Sequence, residues 1–139
     1  MNIRIEAACG AWVEGLDLRR PISSAQFDKL NYVLRTHGVL FFRDQDISVE
    51  DQIAFASRFG KLYVSPYKQL QAEGHPEVFI LTEKDKGGVQ WHSDTTFEEK
   101  PPFGVVLHAQ VVPSVGGGTN WANMNAAYGT LSPAPQTLP

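Results

Sequence analysis

Residues 23–42 predict a capped helix that runs directly into an apolar strand, and this order limits the possible folds more than any other feature. Ser23 and Gln26 form a capping box, in which a serine and a glutamine three residues later satisfy amides at a helix N-terminus. Gly38 ends the predicted helix, and residues 39–42 form a continuous apolar run that predicts a buried strand. The apolar positions at helical spacing are Phe27, Leu30, Val33 and Leu34.

Strand and helix signals continue to alternate along the rest of the chain. Ser48 and Asp51 start a second predicted helix that Gly60 ends, and Asn123 caps a short third one. Apolar patterns predict further strands at residues 3–7, 12–14, 62–64, 78–81, 104–112 and 119–122, with a turn at residues 113–118. Strands of this kind together with two early helices predict an α+β fold.

Length and composition narrow the class of protein. With 139 residues, the chain forms at most one small domain. A net charge of −3 with mixed signs gives no case for nucleic acid or a membrane surface as a partner. Cys9 is the single cysteine, so no internal disulfide forms, which fits a reducing compartment. Because no apolar run approaches roughly 20 residues and no signal-peptide core is evident, we expect a cytoplasmic protein.

A histidine and an aspartate two residues apart, His92 and Asp94, are the strongest candidates for chemistry. On an extended strand such residues point to the same side, so an imidazole nitrogen and a carboxylate oxygen can meet one ion. Two histidines and one carboxylate are the ligands of non-haem iron(II) oxygenases, and they leave open positions on the metal. The pair alone is weakly specific, because a hydrogen-bonded surface histidine gives the same pattern.

The residues around this pair give it a specific meaning. Residues 91–97 read Trp-His-Ser-Asp-Thr-Thr-Phe, and a Pro-Pro pair, a glycine turn, Thr119 and an Ala-Ala-Tyr helix follow in order. This arrangement resembles the taurine dioxygenase family of iron(II)- and 2-oxoglutarate-dependent oxygenases, and residues 15–18, 37–45 and 55–60 resemble its opening segments. The resemblance implies a double-stranded β-helix, or jelly roll, with flanking helices, of which we expect this chain to lack the C-terminal half of the barrel.

The resemblance also assigns roles to single residues. It implies that His92 and Asp94 bind Fe(II) and that Thr119 binds the far carboxylate of 2-oxoglutarate. The family's second histidine ligand and its carboxylate-binding arginine have no counterpart in this chain. Residues 83–88 are placed to act as a lid over the site. We expect residues 1–132 to be the N-terminal part of the dioxygenase domain and residues 133–139 to be a proline-rich, disordered tail.

The substrate is predicted less closely than the reaction. Taurine-specific members have a histidine before a proline where this chain has Ser65, and an asparagine is replaced at about Gly88, so taurine is disfavoured. Ser65, Tyr67 and Thr95 are candidates to line a substrate pocket. Trp91 and Phe97 are expected either to wall that pocket or to pack in a core.

The resemblance implies that a small organic substrate, such as a sulfonate or an ether, is hydroxylated with dioxygen while 2-oxoglutarate gives succinate and carbon dioxide. We expect this chain to be a truncated, inactive fragment, and the full-length form to be a possible homo-oligomer. The alternatives are a non-catalytic binding module and one half of a split enzyme.

Overall fold

The computed structural model describes residues 1–6, 9–82 and 90–132. The chain forms two compact units, the first comprising Met1–Asp46 and Gln110–Pro139 and the second comprising Ile47–Ala109. Both α-helices and short strands are present, which confirms a mixed α and β structure. Within the described ranges, no helix is both long enough and apolar enough to cross a membrane.

The first unit contains a three-stranded sheet formed by β1 (Asn2–Ile5), β2 (Ala11–Glu14) and β3 (Leu40–Phe42), in the order β1-β2-β3. Strands β1 and β2 are antiparallel, whereas β2 and β3 are parallel. Parallel strands need a crossover connection, and α1 (Ser24–His37) provides it. Among the described residues of this unit, the buried apolar ones are Ala11, Val13, Leu18, Leu30 and Val33.

The ends of α1 confirm the predicted capping. The Ser23 hydroxyl accepts a hydrogen bond from the Gln26 amide at 3.3 Å, and the Gln26 side chain accepts one from the Ser23 amide at 3.0 Å. Gly38 adopts a left-handed φ of 80° and donates its N–H to the Leu34 carbonyl at 2.7 Å. Both ends are therefore fixed by residues that lie within four positions of one another in sequence.

The second unit begins with α2 (Val49–Ser57), which Ser48 and Asp51 cap as predicted. A short 3-10 helix at Lys68–Leu70 leads into β4 (Gln71–Ala72), which pairs in antiparallel fashion with β5 (His75–Phe79). Ile47 and Phe55 are the buried apolar residues of this unit among those described. In the first unit, α3 (Met124–Gly129) is capped by the Asn123 side chain, which confirms the predicted third helix.

Three predicted strands are wrong. Residues 62–64, 104–112 and 119–122 are all described and contain no strand. Apolar patterning alone does not make a strand, because its backbone groups need a neighbouring strand to pair with. Val105 and Leu107 are 58% and 59% exposed, which agrees with a segment that belongs to no sheet.

The other four predicted strands are present with different bounds, and those predicted at residues 3–7 and 12–14 lie at Asn2–Ile5 and Ala11–Glu14. The strand predicted at residues 78–81 lies at His75–Phe79, where β4 supplies pairing for Phe79 and His75. Strand β3 was predicted to be buried, but it is half-buried, because all three of its residues are partly exposed to solvent. The division into residues 1–132 and a tail stays a prediction, and residues 83–88 and 133–139 lie outside the described residues.

Candidate metal centre

His92 and Asp94 lie side by side in the second unit. The Nε2 atom of His92 is 3.1 Å from Oδ1 of Asp94. The segment is not a strand, because residues 91–93 have no regular structure and residues 94–97 form a turn. The expected convergence of the two side chains is therefore present, although it occurs where an irregular segment enters a turn and not on an extended strand.

The imidazole ring of His92 is oriented by the backbone. Its Nδ1 atom lies 2.8 Å from the carbonyl oxygen of Gln90. A carbonyl oxygen only accepts, so Nδ1 carries the hydrogen and Nε2 is left to bind a proton or a metal ion. The Gln90 hydrogen bond, together with the nearby Asp94 charge, raises the pKa of His92 above its usual value. This is the kind of carbonyl contact that orients histidine ligands in metal sites.

The two donor groups are accessible from solvent. The side chains of His92 and Asp94 are 55% and 64% exposed. Trp91 and Phe97, on either side of the pair, are 72% and 76% exposed, so the expectation that they pack in a core is wrong. An ion can reach the nitrogen and the oxygen without any displacement of packed side chains.

These residues fit two of the three protein positions in a site built from two histidines and one carboxylate. Imidazole nitrogen and carboxylate oxygen are donors that suit iron(II) and similar divalent metals. Across residues 1–6, 9–82 and 90–132, no group of three or more His, Cys, Asp or Glu side chains is arranged to hold a metal ion. The described residues therefore supply a two-donor site.

Thr95 directly follows Asp94 and has an unusual backbone. Its φ is +51°, a left-handed conformation that is rare for a β-branched residue. Its carbonyl accepts a hydrogen bond from the Glu98 amide at 3.0 Å, which closes the turn. Such conformations persist only where surrounding contacts fix them, and they are frequent at functional sites.

The other two candidate pocket residues, Ser65 and Tyr67, contact each other. The Ser65 hydroxyl accepts the Tyr67 amide at 3.1 Å, and the Ser65 carbonyl accepts the Gln71 side-chain amide at 2.8 Å. Ser65 is only 4% exposed, whereas Tyr67 is 57% exposed. Tyr67 is therefore the more accessible of the two to a ligand, and Ser65 shapes the loop that carries it.

Thr119 belongs to the first unit and is exposed. It follows the predicted turn, which is confirmed, since Gly116 and Gly117 have φ values of 76° and 68°. Glycine is needed at position 117, because a Cβ atom there would lie 2.8 Å from Cγ of Pro113. The segment that carries Thr119 begins directly after this glycine turn.

Tyr63 and Glu98 were missed by the sequence analysis. The Tyr63 hydroxyl donates a 3.0 Å hydrogen bond to the carboxylate of Glu98. Glu98 lies four positions after Asp94 in sequence. Tyr63 and Glu98 are 35 positions apart, and neither belongs to a motif. Only the folded chain shows that they meet beside the candidate site.

Comparison with known proteins confirms the family. A family model for the taurine catabolism dioxygenase TauD, TfdA family matches residues 4–138. The chain belongs to that family. It is similar to the (S)-phenoxypropionate/alpha-ketoglutarate-dioxygenase of Sphingobium herbicidovorans, with 36% identity over 91% of this chain and 46% of the relative. It is also similar to the alpha-ketoglutarate-dependent 2,4-dichlorophenoxyacetate dioxygenase of Cupriavidus pinatubonensis, with 31% identity over 87% of this chain and 49% of the relative.

A solved structure agrees with this assignment. A protein from Burkholderia xenovorans, described as an alpha-ketoglutarate-dependent taurine dioxygenase, superposes with a TM-score of 0.80 and 31% identity. The match covers 98% of this chain and 52% of that protein. The chain thus spans about half the length of the relatives that it matches.

Proposed function

We propose that this chain carries the primary metal-binding motif of an Fe(II)- and 2-oxoglutarate-dependent dioxygenase with a jelly-roll fold. The observation that carries this proposal is the 3.1 Å approach of the His92 nitrogen to the Asp94 oxygen in an accessible turn. Family membership supports it, because several curated relatives bear the name of alpha-ketoglutarate-dependent dioxygenases. The chemical nature of the two donors suits iron(II).

The roles of the two residues follow from their contacts. The Gln90 carbonyl holds the hydrogen on Nδ1 of His92, so Nε2 presents its lone pair toward the ion. The Asp94 carboxylate, next to that nitrogen, would supply an oxygen ligand and a negative charge to the same ion. Iron(II) bound here would supply a centre at which 2-oxoglutarate and dioxygen react to give succinate, carbon dioxide and a hydroxylated substrate.

Binding by two donors is weaker than binding by three. Because the described residues supply two donors, we expect this chain alone to hold iron(II) weakly and to turn over 2-oxoglutarate slowly or not at all. The proposed site also needs a third metal ligand and a positively charged group that binds the 2-oxoglutarate carboxylate. In this proposal Thr119 donates its hydroxyl to that carboxylate.

The substrate in this proposal is a small organic molecule that carries a sulfonate, an ether oxygen or a similar group. Two relatives are named for phenoxypropionate and 2,4-dichlorophenoxyacetate, which are aryl ethers, and another is named a sulfate ester dioxygenase. Tyr67 and Thr95 are the proposed contacts, and Ser65 positions Tyr67 through its hydroxyl.

The proposal is tested by titrating the full chain with Mn(II), a redox-stable substitute for iron(II), and following paramagnetic broadening of amide signals by NMR. We expect broadening centred on residues 90–96, and His92→Ala or Asp94→Asn to abolish it. His75→Gln is the matched control, because His75 also lies near a carboxylate, with 3.4 Å between its Nε2 and Glu50 Oε1. Equal broadening at His75 and His92 would contradict the proposal.

A second candidate function, a module that binds another polypeptide, is favoured by exposed apolar side chains in the first unit. Val111 is 91% exposed and Val115 is 88% exposed, and the segment around them lacks strand pairing. Contiguous exposed apolar surface is a common mark of an interaction site. Sedimentation velocity over a range of concentrations tests it: self-association that Val111→Ser weakens would support it, and a strict monomer would exclude self-association.

A further inference from the structure

Three contacts connect α2 and the loop after it to residues 98–106, which follow the turn at residues 94–97. The Gln52 side-chain amide donates to the Val106 carbonyl at 2.9 Å, and the rings of Phe59 and Phe103 stack with centroids 6.4 Å apart. The third contact is the Tyr63–Glu98 hydrogen bond of 3.0 Å. Residue numbers rise along one segment as they fall along the other, so the two segments run antiparallel. All three contacts lie within the second unit.

The Tyr63–Glu98 contact is the one of these three that is closest in sequence to the candidate metal ligands. Glu98 donates its amide to the Thr95 carbonyl at 3.0 Å, and Thr95 directly follows Asp94. A hydroxyl on a separate loop is therefore linked to the Asp94 turn through one carboxylate and one backbone hydrogen bond. Both Tyr63 and Glu98 are half-buried, so solvent competes with this contact only in part.

We propose that Tyr63 is a positioning residue, whose hydrogen bond to Glu98 holds the turn so that the Asp94 carboxylate faces the His92 nitrogen. The left-handed Thr95 backbone, with φ of +51°, needs contacts of this kind because it is unfavourable on its own. The consequence for metal binding rests on the proposed function, whereas the consequence for the turn does not.

The chemistry of the pair fits a persistent hydrogen bond. A carboxylate accepts only, and a phenol remains a donor while it is protonated. A tyrosine hydroxyl with the usual pKa of 10.0 is already protonated at neutral pH, and the hydrogen bond to the Glu98 carboxylate raises the pKa of Tyr63 further. Hydrogen bonds to ionised acceptors are stronger than neutral ones, so this contact is suited to fixing a turn.

The experiment compares Tyr63→Phe, which removes only the hydroxyl, with Tyr32→Phe in α1, where the side chain is 70% exposed. Amide–water exchange measured by NMR on the metal-free full chain reports the turn directly. We expect the Glu98 amide to exchange at least about threefold faster in Tyr63→Phe, while amides of α1 and the sheet stay unchanged. Mn(II) broadening at residues 90–96 should need about three- to tenfold more Mn(II), less than the roughly 10- to 100-fold typical of direct ligand supports.

A second pair of variants separates positioning from general stability. Glu98→Gln keeps an acceptor for the tyrosine hydroxyl and should retain most of the slow exchange, whereas Glu98→Ala should match Tyr63→Phe. Glu99→Ala, at the exposed neighbouring position, is the matched control. If the two losses do not add in the Tyr63→Phe, Glu98→Ala double variant, the two side chains act through each other.

The outcomes distinguish this inference from the proposed function. Unchanged Glu98 exchange in Tyr63→Phe would overturn the positioning role, whatever the chain does with Mn(II). Faster exchange spread over the whole second unit would also overturn it, because the hydroxyl would then be a general stabilising group. Faster local exchange with no Mn(II) broadening in the unmodified chain would support the positioning role while contradicting the proposed metal site.

Discussion

The guanidinium of Arg43 lies 4.7 Å from the centre of the Trp12 ring. Trp12 is in β2 and pairs with Phe41 of β3, and Arg43 lies two residues after Phe41, just past the end of β3. The same ring lies 4.9 Å from the Phe41 ring and 5.6 Å from the Arg4 guanidinium. Arginine stacked on an aromatic ring gains a cation–π attraction in addition to its packing area.

We therefore expect Arg43→Ala to lower the free energy of unfolding by about 0.5–1 kcal/mol, the usual size for an exposed cation–π contact. Urea denaturation followed by tryptophan fluorescence measures it. Arg43→Lys should lose part of the effect, because an ammonium group cannot stack flat on the face of the ring as a planar guanidinium does. Arg20→Ala, whose side chain is 83% exposed, is the control and should change stability little.

Leu30 provides a test of the first unit's core. It lies on α1 and is fully buried, with no exposed surface. Leu30→Ala removes packed methyl groups and leaves a cavity, so we expect a loss of about 2–5 kcal/mol, measured by thermal or urea unfolding. Leu107→Ala makes the same chemical change at a side chain that is 59% exposed. Equal losses in the two variants would show that Leu30 is not in a core.

Sequence signals that act on nearby backbone groups predicted the structure correctly, whereas signals that depend on distant pairing did not. The start and end of α1 were predicted correctly because Ser23, Gln26 and Gly38 act on backbone groups only a few residues away. The strand predicted at residues 104–112 failed because a strand depends on a pairing segment elsewhere in the chain, which the apolar pattern does not encode. The strand at His75–Phe79 succeeded in part, since β4 lies only three residues before it.

The candidate site divides in the same way. The approach of His92 to Asp94 was predicted because they are only two positions apart in sequence, although a turn replaced the expected strand. The Gln90 carbonyl that orients the histidine and the Tyr63–Glu98 contact were not predicted. The first is a backbone group, which no residue pattern marks, and the second joins two loops 35 positions apart.

Ser23 tests the energetic weight of the capping box. Its hydroxyl accepts the Gln26 amide, and replacing it with alanine leaves that amide to water. We expect Ser23→Ala to lower the free energy of unfolding by about 0.5–2 kcal/mol. Ser24→Ala is the matched control, because Ser24 is the first residue within α1 and is not the cap. A larger loss in Ser24→Ala than in Ser23→Ala would contradict the assignment.

Asp17 predicts a dependence of stability on acid pH. The Arg19 side chain and backbone amide donate to its carboxylate, which lowers the pKa of Asp17 from 3.8 to about 2. Because the pKa is depressed in the folded state, ionised Asp17 favours folding at pH values above 3.8, and this contribution is lost as the pH falls toward about 2. The stability difference between the unmodified chain and Asp17→Asn should therefore shrink over that pH range in urea denaturation. A difference that stays constant from pH 5 to pH 2 would contradict the lowered pKa.

Thr95 tests whether the turn that begins at Asp94 stores backbone strain. Its φ of +51° is unfavourable for a β-branched side chain, whereas asparagine adopts this region readily. We therefore expect Thr95→Asn to raise the free energy of unfolding by up to about 1 kcal/mol, measured by urea denaturation. Thr96→Asn, at the exposed next position, has no positive φ to relieve and should be neutral or slightly destabilising. If Thr95→Asn destabilises the chain as much as Thr96→Asn or more, then Thr95 is not strained in the folded protein.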